Sequence, residues 1–166
     1  MFQSKTCMVV MGVAGCGKST FGQALAHELA WPWIEGDDFH SASSKAKMAA
    51  GQALDDADRE GWLATLAKLI AEHPQGCVIG CSALKLRYRN VLRQASPLTF
   101  AYLKLSPEEA QRRVSSRAGH FFSDTLVTSQ FAALQDPSSE PDVITLDATE
   151  VTSALVSQVL ALRKLA

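Results

Sequence analysis

Four groups of residues combine types and spacings that can do chemistry. The first is the run of Gly12, Val13, Ala14, Gly15, Cys16, Gly17, Lys18, Ser19 and Thr20. Its Gly12, Gly17, Lys18 and Ser19 meet the spacing G-x-x-x-x-G-K-[ST]. Glycines at these positions let successive backbone N–H groups turn inward around phosphate oxygens, and a helix opening behind them adds its positive end. In such a loop the lysine reaches the outer phosphates and the serine hydroxyl binds Mg²⁺. The expected cofactors are therefore ATP and Mg²⁺, with Lys18 catalytic and Ser19 the metal-binding side chain. The loop alone does not separate a kinase from another NTPase or a nucleotide switch.

The second group is Asp37 and Asp38, directly after Gly36. A phosphoryl acceptor needs a carboxylate that orients its hydroxyl and takes its proton, and Asp37 is the better placed of the two. His40 follows, either as a substrate contact or as a structural histidine. The third group is Lys85, Arg87, Tyr88 and Arg89. Cations in the first turns of a helix oppose its dipole. Lys85, Tyr88 and Arg89 share one helical face, suited either to an anionic substrate or to solvent. The fourth is Arg112, Arg113 and Arg117, which run into a glycine-containing segment. Arg113 and Arg117 suit a mobile lid, roughly residues 113–130, that closes over phosphates, Arg117 serving catalysis; two surface arginines are the plainer alternative. The run 77–81 carries no aspartate at the usual Walker B position, leaving Mg²⁺ to Ser19, phosphate, water and Asp37. That pattern favours a simple kinase over a mechanochemical ATPase.

These residues need elements to position them. Residues 6–11, 77–81, 99–105 and 143–146 read as buried strands, and 33–35 as a short one. Phe21, Leu25 and Leu29 recur at helical spacing, as do Trp62, Leu63, Leu66, Leu69 and Ile70 within 56–72. Residues 85–93 predict a basic helix. Ser106, Pro107 and Glu109 form a helix start with a capping box. A last helix is expected to bury Val151, Leu155, Val159 and Leu162. Strands alternating with helices predict an α/β fold with a parallel sheet covered on both faces, and ligands then bind at the carboxyl ends of the strands. The four groups all follow strands.

Composition bounds the rest. With 166 residues, 47% hydrophobic and 20% charged, the chain (1–166) fits a single globular domain. A net charge of −1 gives no general attraction to nucleic acid or acidic membranes. Cys7, Cys16, Cys77 and Cys81 have no Cys-x-x-Cys spacing and read as buried reduced thiols, which suits the cytoplasm. No apolar run is long enough to span a bilayer, and the N-terminus does not read as a secretory leader.

The chain resembles the gluconokinase family, relatives of shikimate kinase in the nucleoside-monophosphate-kinase-like group of P-loop NTPase folds. The resemblance runs from the phosphate loop to about Asp147. It rests on Gly36-Asp37 with His40, Lys47-Met48-x-x-Gly51, Leu54-x-Asp56-x-Asp58-Arg59-x-x-Trp62-Leu63, Cys81-Ser82-Ala83-Leu84-Lys85 with Tyr88-Arg89, Arg117-x-Gly119-His120-Phe121-Phe122 and Ser129-Gln130-Phe131. It implies a five-stranded parallel sheet flanked by helices, a mobile lid, a homodimer, and transfer of the ATP γ-phosphate to the 6-hydroxyl of D-gluconate. Asp37 would be the acceptor-orienting base. Arg59, Lys85, Tyr88 and Arg89 would bind gluconate, with His40, His120 and Gln130 as further substrate-site candidates, and Arg113 and Arg117 would belong to the lid. A shikimate-type or other small sugar-acid kinase is the alternative enzyme, and a non-catalytic nucleotide-binding regulator the alternative class. The chain departs from the family pattern on the substrate side, at Ser41, Ser44, Ala53 and Gly61.

Overall fold

The five expected strands all form. They are β1 (Cys7–Met11), β2 (Trp33–Glu35), β3 (Cys77–Gly80), β4 (Leu98–Lys104) and β5 (Val143–Asp147). All pair in parallel, in the order β2-β3-β1-β4-β5. The structure is a computed structural model and describes residues 7–117 and 124–164. β1 lies at the centre, and all five of its residues are buried. Its apolar run does not alternate with polar residues because both faces are covered. Met8 and Val10 pack into one cluster with Phe21, Leu25, Leu155 and Val159; Cys7, Val9 and Met11 pack into the other with Trp62, Leu66, Ile70 and Leu92. All four cysteines are free and buried, with Cys7 and Cys77 side by side in register.

The helices on the first face are α1 (Lys18–Leu29), α5 (Pro107–Ser115) and α7 (Thr152–Lys164). On the second are α3 (Asp56–Ala71) and α4 (Leu86–Arg93). Two further helices, α2 (Ala42–Ala49) and α6 (Asp124–Ala133), lie on the ligand side and were not expected as helices. Asp55 caps α3, accepting from the Asp58 N–H at 2.8 Å while Asp58 accepts from the Asp55 N–H at 3.0 Å. Only half of the expected capping box forms at α5. Ser106 accepts from the Glu109 N–H at 3.2 Å, but the Glu109 carboxylate turns away to Arg112 and Arg113. In α7 the buried residues are Leu155, Val156 and Val159. Val151 is 69% exposed and Leu162 40%, against expectation. Val151 precedes the helix, and its carbonyl takes the first N–H groups, so its side chain never joins the buried face.

Arg89 corrects a second expectation. Its side chain is 1% exposed and faces inward. The guanidinium donates to the carbonyls of Ala83 (2.7 Å), Leu84 (3.1 Å) and Gln135 (3.0 Å), and to the Glu140 carboxylate at 2.6 Å. Glu140 and Asp142 are also held by Arg93. A charge removed from water this completely must be paired throughout, and here it is. Arg89 therefore ties α4, the loop after β3 and the segment before β5 together, and has no donor left for a substrate. Arg89→Met should lower the unfolding free energy by about 3 kcal/mol, because carbonyls and part of a carboxylate lose their donor. Urea unfolding measures it. Arg89→Lys should recover little, since an ammonium cannot span the same fork of acceptors.

Candidate functional site

The phosphate loop leaves β1 at Gly12, whose N–H donates to the Ser82 carbonyl at 3.3 Å. Gly12 has φ 147°, and a Cβ there would lie 2.8 Å from the Leu103 carbonyl oxygen, so no side chain fits. Gly17 caps α1 in the left-handed conformation at φ 93°. Val13 and Cys16 turn their side chains into the core, so a ligand would meet their backbone only. The first turn of α1 carries no acidic residue, which leaves the positive end of the helix for an anion. Lys18 Nζ rests on the carbonyls of Gly12 (3.0 Å) and Val13 (3.2 Å).

Ser19 reveals a residue that the sequence reading passed over. Its hydroxyl donates to Glu35 Oε2 at 2.5 Å. An acid is absent from the end of β3, but one stands at the end of β2 beside Ser19. The signal was present: Glu35 is an acid at the carboxyl end of a strand, the edge where ligands bind in a parallel sheet. Among the described residues no group of three or more His, Cys, Asp and Glu is arranged to hold a metal. The Ser19–Glu35 pair nevertheless offers the hard oxygen donors that Mg²⁺ takes when phosphate and water complete its shell.

Asp37 stands on a turn of 3-10 helix, Gly36–Phe39. It lines one cleft, about 210 Å³, together with Gly15, Gly17, Lys18, Ser19, Thr20 and Ala14 of the phosphate loop. Glu35, His40, Arg59, Ser82, Arg117 and Gln130 line the same cleft. His40 beside it, and then the Lys18 ammonium, hold the Asp37 carboxyl below the usual carboxylate value, while desolvation pulls the other way. His40 itself is buried, stacked on Trp62 with ring centroids 4.0 Å apart. Arg59 donates to the Leu54 carbonyl at 2.6 Å and sits over the Tyr88 ring.

Lys85 and Tyr88 are not among the residues lining the cleft. Lys85 caps α4 and binds Asp56 at 3.0 Å; Arg87 binds the same carboxylate at 2.9 Å, and the Tyr88 hydroxyl donates to it. Asp56, on the first turn of α3, thus answers the cations at the start of α4. The Tyr88 hydroxyl and then Lys85 hold its carboxyl below the usual range. Arg113 lies behind the phosphate loop, donating to the carbonyls of Gly15 (3.2 Å) and Ala148 (3.0 Å) and pairing with Glu109. Gln130, on α6, reaches the phosphate loop directly: its Oε1 accepts from the Ala14 N–H at 2.7 Å. His120 lies outside the described residues.

Comparison with known proteins places this geometry in a family. The shikimate kinase family model matches residues 14–160. The thermoresistant gluconokinase of Escherichia coli strain K12 is 37% identical over 161 residues, covering 94% of this chain and 92% of that protein. The gluconokinase of Gluconobacter oxydans strain 621H is 41% identical over 141 residues, covering 82% and 79%. A solved gluconokinase from Sinorhizobium meliloti 1021 superposes with a TM-score of 0.89 at 38% identity, over 99% of this chain and 94% of that one.

The contact between Gln130 and Ala14 makes a measurable tie between α6 and the phosphate loop. Gln130→Ala should remove about 1 kcal/mol of local stability. Hydrogen exchange in peptides covering 124–133 should then quicken about fivefold, with the global unfolding midpoint unchanged.

Proposed function

We infer that this chain, which belongs to the gluconokinase family within the shikimate-kinase type of P-loop kinases, is itself a gluconokinase. It transfers the γ-phosphoryl group of ATP to the 6-hydroxyl of D-gluconate, giving 6-phospho-D-gluconate and ADP. The observation that carries this reading is the shared cleft, in which the Asp37 carboxylate faces the same space as Lys18, Ser19 and the glycine backbone. Phosphoryl transfer asks the protein mainly for positioning and charge, and the parts needed for both are there.

In this reading the backbone N–H groups of the loop and the start of α1 hold the phosphates. Lys18 moves from its loop carbonyls to the phosphate oxygens. Asp37 accepts a hydrogen bond from the acceptor hydroxyl, aims its oxygen at the phosphorus and takes its proton as the new bond forms. Asp37 is ionised at neutral pH, as this role requires. Ser19 and Glu35 would hold Mg²⁺. When bound, that ion neutralises charge between the β- and γ-phosphates. Arg117 adds positive charge as the lid segment closes, and Arg113 stiffens the loop from behind. Among the cations first considered for the gluconate carboxylate, Arg59 is the one lining the cleft; Lys85 is engaged with Asp56 and Arg89 is buried. The family resemblance extends the proposal to a homodimer working in the cytoplasm.

A coupled ADP-release assay with gluconate, shikimate and related sugar acids tests the reading. Gluconate-dependent turnover is expected, and its absence would sink the assignment; turnover with shikimate alone would move it to the shikimate-type reading. Asp37→Asn should lower kcat by about 10²–10³ with little change in ATP binding. Lys18→Met should cost at least about 10² in kcat/KM for ATP.

A further inference from the structure

Asp37 sits on a short turn, and its side chain is 64% exposed. A carboxylate so placed has two free torsions, and nothing in its own backbone decides which oxygen meets the acceptor. The neighbouring His40 has the opposite character. Its side chain is 4% exposed, and Nε2 lies 3.6 Å from Asp37 Oδ1. The imidazole is stacked on the Trp62 indole, centroids 4.0 Å apart and planes 19° from parallel. Trp62 is itself buried, and its Nε1–H donates to the Gly36 carbonyl at 2.7 Å. Gly36 cannot drift, because even a Cβ there would lie 2.0 Å from the Gly80 carbonyl oxygen. One indole therefore fixes both ends of the turn that carries Asp37.

The other imidazole nitrogen decides the tautomer. Nδ1 is buried and has no hydrogen-bond partner among the described residues. A buried N–H without an acceptor costs more than a bare lone pair. A single ring proton thus belongs on Nε2, facing the carboxylate, which gives His40 one direction to donate in. A histidine kept only to fill space would gain from being phenylalanine, which stacks equally well and strands no nitrogen. What histidine adds over phenylalanine is the polar edge that meets Asp37.

We propose that His40 is a positioning residue for phosphoryl transfer: seated on Trp62, it fixes Asp37 through Oδ1 and leaves Oδ2 for the acceptor hydroxyl. This rests on Asp37 being the acceptor-orienting base. It also changes the role of His40 itself, from a substrate contact to a support lying beneath the base. The 3.6 Å separation shortens to a hydrogen bond when substrate orders the cleft, as such contacts do on complex formation.

His40→Phe and His40→Gln separate this role from packing. Phenylalanine keeps the stack and loses the donor; glutamine places an N–H near the position of Nε2. His40→Phe should lower kcat about ten- to hundredfold, with KM for ATP and gluconate within about twofold and an unfolding midpoint no lower than wild type. His40→Gln should recover most of that kcat. In the double variant with Asp37→Asn, His40→Phe should cost nothing further, because a support has no effect once its carboxylate is gone. Wild-type kcat in His40→Phe, no recovery in His40→Gln, or multiplicative losses in the double variant would each overturn the proposal. Wild-type kcat in Asp37→Asn would instead remove the base assignment, and the proposal with it, whereas loss in Asp37→Asn with none in His40→Phe removes the proposal alone.

Discussion

Two places where backbone meets backbone without a side chain between them govern this molecule. At Gly12 the chain leaves β1 against the Leu103 carbonyl of β4, and at Gly36 it leaves β2 against the Gly80 carbonyl of β3. Either contact would be broken by a single methyl group. Together they bring the phosphate loop and the acidic turn onto the same carboxyl edge of the sheet. The Ser19–Glu35 hydrogen bond then joins the first helix to the second strand across that edge. The core is apolar and close-packed, so these loops start from a rigid base. The site needs that rigidity, because a small misplacement of a reacting oxygen is expensive in rate.

Charge is distributed by the same logic. The start of α1 is left without acidic residues, and so its dipole remains open to phosphate. The starts of α3 and α4 meet each other, and Asp56 serves both: it favours the first turn of its own helix and neutralises Lys85 and Arg87 at the next. Arg89 and Arg93 are committed to Glu140 and Asp142. Among the described residues, the lysines and arginines lining the cleft are a smaller set, Lys18, Arg59 and Arg117. The abundance of arginine and lysine on the substrate side therefore overstates the positive charge that a ligand meets. Much of it holds α4 in place.

The strands were legible because a strand buried on both faces needs an unbroken apolar run, and few other structures do. The phosphate loop was legible because its glycines are demanded by conformation. Asp37 was singled out by position alone, as the acid following a strand, and it lines the cleft. Arg89 was misread because its partner, Glu140, is 51 residues away, and no helical spacing reports such a pair. Glu35 was missed because it was counted as the last residue of a strand and not as the first residue of the site. α2 and α6 escaped because short helices on the ligand side carry mixed faces: Ser44 is the buried residue of one, while the other buries Leu126 and Val127 and keeps Gln130 at the cleft.

The departures from the family pattern gain a physical reading from their places in the fold. Ser41 caps α2, its hydroxyl accepting from the Ser44 N–H at 3.1 Å, so it fixes a helix start and does not line the cleft. Ser44 is buried within that helix. Gly61 lies on α3 where an added Cβ would meet nothing within 4 Å. Ala53 is the one departure that lines the cleft. A change among small apolar residues alters the room beside a substrate and not the set of hydrogen bonds it meets. Discrimination by pocket size alone is weak, whereas discrimination by hydroxyl and carboxylate partners is strong. Asp37, Arg59 and Gln130, three of the polar groups lining the cleft, coincide with the family pattern. The four departures thus bear on how α2 begins and how much room the cleft has beside Ala53, and leave Asp37, Arg59 and Gln130 at the cleft unchanged.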